Sequence, residues 1–370
     1  MDAKGRAQPT AGFGARSSWC LSCLVLLGWI LPLCAAGTRR DLFYYIPTED
    51  AWQSLLANAA KISVVAPQVF VVDESGAVRG SVEERVRALA AAKGIAVIPL
   101  LYNAGFSART AHAVLSDEGK KRRVVSEALR LCEENNCAGL QLDFEGLAQE
   151  DGAAYQALIL EMTAAAHQRK LAVSVALGSP LFTGSMPLNS YASSFGGFAV
   201  VSPSLDLEEV GRSVDFITLM AYDHYGRGAP PGPVAGYPWV EQSIRFLLQH
   251  VPAAKISLGI PFYGRRWCWQ DVTELSFSAV QTLLQSTKAT LRRHPWQRAP
   301  TFEFEQNGCR NIVYFEDRES LQEKLRLVRK YRLPGISAWR LGQEDPGFWN
   351  DVPIVRRPAV NLPGPQPGRY

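Results

Sequence analysis

A chain of 370 residues with 47% hydrophobic and 20% charged residues has globular composition, with enough material for one large core or two modest domains. Its 30 glycines and 23 prolines show no period, which excludes collagen-like and low-complexity classes. Basic residues number 39 against 35 acidic ones, a formal charge of +4, and the densest basic run, Lys120 to Arg123, reads as the solvated start of a helix, so no nucleic-acid partner is expected.

In chain order, residues 1–36 come first and differ from the rest. Lys4, Arg6 and Arg16 precede an apolar run from Trp19 to Leu33 that closes on Cys34, Ala35, Ala36 and Gly37. This is the grammar of an export leader, and the run is short for a membrane span. Thr38, Arg39 and Arg40 suit an uncleaved anchor as well, so the expected location is secreted or periplasmic, released or held at a membrane through the leader. No later segment is long and apolar enough to span a bilayer. Four cysteines remain in the body, Cys132, Cys137, Cys268 and Cys309. In an oxidising compartment Cys132 with Cys137 and Cys268 with Cys309 are the candidate bridges, although four cysteines allow three pairings and none need form. Their irregular spacing, with no histidine nearby in sequence, argues against a zinc site.

From Asp41 onward, short branched or aromatic runs alternate with longer helical patterns. Eight strand candidates are Leu42 to Ile46, Ile62 to Val72, Ile95 to Tyr102, Ala138 to Glu145, Leu171 to Leu177, Val214 to Tyr222, Lys255 to Tyr263 and Gly335 to Leu341. Helix candidates between them include Ser81 to Lys93, Lys120 to Asn135, Ala153 to Lys170, Trp239 to His250 and Ser320 to Tyr331, each with apolar residues returning at three or four positions. Eight such units predict an α/β fold, a (β/α)8 TIM barrel, with an open doubly wound sheet disfavoured because no glycine-rich loop follows the first strand. The expected organisation is a leader over 1–36, a barrel over 37–355 and a proline-rich tail over 356–370. Residues 267–315, with a helical run and two short strands, read as a small insertion between the seventh and eighth strands. Residues 182–207, rich in Ser, Gly and Pro, read as an active-site loop.

Chemistry concentrates in Ala138-Gly139-Leu140-Gln141-Leu142-Asp143-Phe144-Glu145. The two-residue period of a strand sends Gln141, Asp143 and Glu145 to one side and Leu140, Leu142 and Phe144 to the other. Burial and mutual repulsion raise the pKa of one of two neighbouring carboxyls, and an acid beside an anion is the pairing that glycosidic cleavage needs. Salt-bridged acids at a barrel mouth are the plainer alternative. His224, alone beside Asp223 with no spaced ligand set, is poor evidence for a metal or a catalytic histidine.

This segment resembles the active-site strand of glycoside hydrolase family 18, Asp-Gly-x-Asp-x-Asp-x-Glu, with Asp143 and Glu145 matching its last two acids; Ala138 replaces the first Asp and Gln141 the next. Met220-Ala221-Tyr222-Asp223 resembles the family's Met-x-Tyr-Asp strand end, Lys255 through Trp267 its seventh strand, and Gly335-Ile336-Ser337-Ala338-Trp339 its eighth. The likeness runs from about Asp41 to Asn350 and is greatest to the bacterial spore-cortex-lytic N-acetylglucosaminidases. It implies hydrolysis of β-1,4 bonds in N-acetylglucosamine-containing glycans, peptidoglycan fragments or chitooligosaccharides, by a retaining, substrate-assisted route that uses no cofactor or metal. Glu145 would be the acid and later base, Asp143 would orient the acetamido group, Tyr222 would bind its oxygen, and Asp223 would contact the same sugar or hold the acidic row. Trp339 would floor the sugar pocket. Gln141, Met220, Tyr263, Trp267, Tyr102 and Asn103 are the further substrate-contact candidates. The resemblance leaves as its alternative a catalytically inactive secreted glycan-binding protein, whose usual mark is loss of the terminal glutamate; Glu145 is intact. A monomer with an N-acetylated glycan as its partner is expected.

Overall fold

The computed structural model describes residues 40–179, 205–269 and 271–355. Over these residues eight short strands are laid side by side: β1 (Leu42–Tyr45), β2 (Val64–Val72), β3 (Leu100–Asn103), β4 (Gly139–Asp143), β5 (Ala172–Gly178), β6 (Phe216–Met220), β7 (Ile256–Pro261) and β8 (Gly335–Trp339). Each pairs in parallel with its sequence neighbour, and β1 pairs with both β2 and β8, so the sheet closes into a barrel. The leader, residues 182–204 of the expected active-site loop and the tail 356–370 lie outside the described residues.

Closure follows from alternation. Leu140, Leu142 and Phe144 join the apolar layer between strands and helices, while Leu42, Tyr44, Leu100 and Phe216 fill the barrel interior. Gly139 is required where β4 crosses β5, because a Cβ there would meet the Ala172 carbonyl oxygen at 2.1 Å. The five expected helices form as Glu84–Lys93, Glu118–Glu134, Gly152–Gln168, Tyr237–Leu247 and Arg318–Lys330. Asp117 caps the second of these through Gly119 and Lys120, and Asp317 and Ser320 make a reciprocal capping box at the last. Helices Glu49–Asn58, Ala108–Leu115 and Leu207–Ser213 are additional.

Two expectations are corrected here. The third strand does not run unbroken from Ile95: Ala96–Val97 and Leu100–Asn103 are separate pieces, with Pro99, which has no N–H to donate, between them. The insertion begins at Tyr263, four residues earlier than 267, because the strand ending at Pro261 is followed directly by a second one. Strands Tyr263–Cys268, Asp271–Ser276, Arg292–Arg293, Pro300–Gln306 and Cys309–Tyr314 form an antiparallel sheet. Phe302, Phe304, Val313 and Phe315 pack there against Val280 of helix Phe277–Thr287.

The Cys268–Cys309 bridge is present, at the far end of that sheet. Cys132 and Cys137 are instead free and buried. Cys132 sits in the last turn of its helix with Sγ directed to the Gly139 carbonyl oxygen at 3.8 Å, while Cys137 N–H donates to the Cys132 carbonyl. Hydrogen bonding to Cys137, then burial, pushes the Cys132 thiol up, which keeps it an unreactive thiol. No helix among the described residues is long and apolar enough to cross a membrane.

Candidate active site

The barrel interior is polar at mid-height, and Gln141 is its hub. Tyr44 OH donates to Gln141 Oε1 at 2.7 Å, and Gln141 Nε2 donates to Ser174 Oγ and Thr218 Oγ1, both at 3.0 Å. Thr218 continues to Ser337 at 2.9 Å and Ser337 to Ser257 at 2.8 Å. All six residues are buried, so residues from β1, β4, β5, β6, β7 and β8 meet in one buried network. Gln141, expected as a substrate contact, has its amide committed inside the barrel. Replacing it with Leu removes a partner each from the Tyr44 hydroxyl, Ser174 and Thr218, at about 1–3 kcal/mol per group left unsatisfied. Gln141→Leu should lose about 3 kcal/mol, read as a lower urea midpoint at unchanged slope; a midpoint equal to wild type would contradict a structural role for this network.

Above that layer the acids emerge. Asp143 ends β4, pairs in register with Tyr102, and is 4% exposed; Glu145, two residues on, is 9% exposed. Desolvation pushes the Asp143 carboxyl up to about 7, and its Oδ1 is buried without a hydrogen-bond partner. Glu145 is pushed well above the usual carboxylate range by burial, and further by the charges of Asp143 and Asp223. Glu145 lies beyond the strand, so β-ladder pairing does not hold it. Asn103 does: its Oδ1 accepts the Glu145 N–H at 2.9 Å and its Nδ2 donates to the Glu145 carbonyl at 3.0 Å. Asn103 is fully buried and its second N–H goes to the Ser107 carbonyl at 3.0 Å, so all of its amide is engaged by the protein.

Across the mouth, the chain leaves β6 through Ala221, Tyr222 and Asp223. Asp223 has a positive φ of 64°. Its Oδ1 accepts both the Arg265 guanidinium and the Tyr263 hydroxyl, and Arg265 Nη1 donates to the Tyr225 carbonyl at 2.7 Å. Arg265 and Asp223 are each about nine-tenths buried, and Arg265 also stands over the Tyr263 ring at 5.5 Å. Asp223 is thus fastened to the insertion. Tyr222 is pushed well above the ordinary phenol range by burial and then by the charges of neighbours that include Tyr44, Asp143, Tyr263 and Asp223. His224 is stacked on Trp239, rings parallel at 4.5 Å, and burial lowers it to about 4, so it is neutral at neutral pH. No group of three or more His, Cys, Asp or Glu that could hold a metal ion occurs among the described residues.

The aromatic candidates divide. Trp339, at the end of β8, is partly exposed and leans on Tyr44 with ring centroids 5.2 Å apart. Met220, at the end of β6, and Tyr102, in contact with Phe106, are also partly exposed at the strand ends. Tyr263 is buried and spends its hydroxyl on Asp223. Trp267 is 2% exposed and edge-on to Tyr314 inside the insertion. The structure adds Tyr44 and Arg265, which the sequence reading missed. Both were within reach of the two-residue period, Arg265 lying two positions beyond Tyr263 on the same strand face and Tyr44 two beyond Leu42.

Acids and aromatics gathered at the C-terminal ends of parallel barrel strands place the protein among (β/α)8-barrel enzymes. The chain belongs to glycoside hydrolase family 18, whose family model, Glycosyl hydrolases family 18, matches residues 74–344, and the protein is a glycoside hydrolase. Similar curated proteins include the uncharacterized glycosylase YvbX of Bacillus subtilis, 24% identical over 82% of this chain and 87% of the relative. The cortical fragment-lytic enzyme of Bacillus anthracis is 26% identical over 85% and 74%. Among solved structures, a chitinase from Chromobacterium violaceum superposes with a TM-score of 0.75 at 27% identity, covering 85% of this chain and 98% of that one. The Bacillus megaterium spore cortex-lytic enzyme SleL shares the fold, with a TM-score of 0.73 at 21% identity over 85% of this chain and 73% of that one.

Proposed function

We propose that the protein cleaves β-1,4 bonds on the reducing side of N-acetylglucosamine, in peptidoglycan fragments or chitooligosaccharides, with retention and with the substrate's acetamido oxygen as nucleophile. The observation that carries this is the pair at the end of β4: a buried Glu145 whose carboxyl is pushed well above the usual carboxylate range by desolvation, two residues from Asp143, whose Oδ1 has no protein partner. Glu145 protonates the leaving oxygen and then, as carboxylate, activates water. Asp143 Oδ1 accepts the acetamido N–H, and Tyr222 donates to the acetamido oxygen, turning it toward the anomeric carbon. Asp223 is occupied by Arg265 and Tyr263, which makes it unsuited to covalent attack and suited to holding the mouth's geometry. Trp339 offers an apolar face to the sugar ring.

The cortical fragment-lytic relatives favour peptidoglycan fragments over long chitin as substrate. The leader-like segment and the Cys268–Cys309 bridge together favour work outside the cytoplasm. The test is product analysis. Purified protein should release β-anomeric N-acetylated sugars from muropeptides or chitooligosaccharides and leave their de-N-acetylated counterparts uncleaved. Efficient turnover of substrates lacking the acetamido group, or α-anomeric products, would refute the mechanism.

A further inference from the structure

Backbone groups that leave a sheet must find partners or remain in water, and a buried orphan costs about 1–3 kcal/mol. The β3–β4 ladder stops at Tyr102 and Asp143, so the peptide groups of the buried Glu145 have no strand to pair with. The Asn103 side chain takes the strand's place. Its amide carries one acceptor and two donors in a plane, one N–H more than a peptide unit offers, and it meets both the N–H and the C=O of Glu145. The next residue closes the other side: Gly146 has φ +71°, and a Cβ there would meet the Phe106 carbonyl oxygen at 2.8 Å. Glu145 is pinned between Asn103 and the segment 106–108.

We propose that Asn103 is a positioning residue for Glu145, fixing the acid's backbone so that its carboxyl is delivered to the glycosidic oxygen without Asn103 touching the substrate. This rests on reading Glu145 as the general acid. Its consequence is a division between kcat and KM. Loss of orientation of about 1 Å at a reacting group costs on the order of a hundredfold in rate, whereas groups that bind the sugar are untouched.

The experiment uses Asn103→Ala and Asn103→Asp in the full chain, with melting curves confirming that each is folded at the assay temperature. For Asn103→Ala we expect kcat to fall about a hundredfold with KM within about twofold of wild type. Asn103→Asp carries the sharper readout and stands alone if the alanine variant does not fold. A protonated carboxyl keeps one donor and one acceptor and satisfies Glu145 as the amide does. An ionised one has no donor and faces the Glu145 carbonyl. The ratio of Asn103→Asp to wild-type kcat should therefore approach one in acid and fall at least tenfold as pH rises. The other titratable groups coupled to Glu145 are Asp143 on its own segment, Asp223 beyond β6, Tyr44 on β1 and Tyr155 on helix Gly152–Gln168, and they are common to both proteins. A pH-independent ratio, or a loss carried by KM, would overturn the proposal. Glu145→Gln assayed alongside separates the failures: if it stays fully active, the reading of Glu145 fails and the proposal falls with it. If it is inactive while both Asn103 variants match wild type at every pH, only the positioning role is refuted.

Discussion

Glu145→Gln should lower kcat on a natural glycan by about a thousandfold or more, with KM changed by no more than about threefold. General acid catalysis is worth roughly 10²–10⁴ in rate, and an unactivated sugar alcohol is a poor leaving group that needs the upper part of that range. Glutamine keeps the size and the hydrogen-bonding face of the side chain, and Asn103 grips only the backbone of residue 145, so the site should stay assembled. The variant cannot give up a proton. Two controls separate this from general damage. On an aryl glycoside of N-acetylglucosamine with an acidic phenol as leaving group, protonation matters less, so the first step should lose far less. The wild-type rate should fall as pH rises through the raised pKa of Glu145, because the protonated form is the donor, and that limb should be missing from the residual activity of the variant. A loss of equal size on natural and activated substrates would point to collapse of the site and count against Glu145 as the acid.

Much of this was legible from alternation alone. The period that sends Gln141 and Asp143 inward and Leu140 and Leu142 outward is a property of any strand, and the barrel obeys it. What alternation cannot reveal is the partner of an inward group. Gln141 and Asp143 share a face, yet one is tied into a network of five other residues and the other has a free buried oxygen, a difference set by Tyr44, Ser174 and Thr218 on three other strands. Glu145 was expected on the strand and lies past its end, where a side chain from β3 replaces the ladder; a local pattern carries no trace of that substitution. The cysteines show the same limit. Cys132 and Cys137 are close in sequence and remain thiols, whereas Cys268 and Cys309, 41 positions apart, are joined because antiparallel pairing brings their strands together.

The same acids that equip the site should cost the fold stability, and the cost has a predictable pH dependence. Asp143 titrates near 7 in the folded protein because burial penalises its anion, against an ordinary value of 3.8. A carboxyl raised on folding binds its proton more tightly in the native state. Its contribution is fully present below the unfolded pKa, near 4, and is lost as pH rises through about 7. At about 1.4 kcal/mol per pKa unit, ionising Asp143 withdraws on the order of 4 kcal/mol between pH 4 and pH 8. Asp143→Asn removes that loss, and it also removes a charge that raises Glu145, so the wild-type decline with pH should flatten in the variant. At pH 8 Asp143→Asn should be the more stable protein by about 1–3 kcal/mol, the full linkage being offset in part by the desolvated amide N–H groups it introduces. At pH 4 the advantage should vanish or reverse. Urea unfolding of both proteins at the two pH values, with equal slopes, gives the comparison directly. Parallel stability curves from pH 4 to pH 8 would show that Asp143 is not a strained acid, and would remove the physical basis for treating the pair at the end of β4 as a site that trades stability for chemistry.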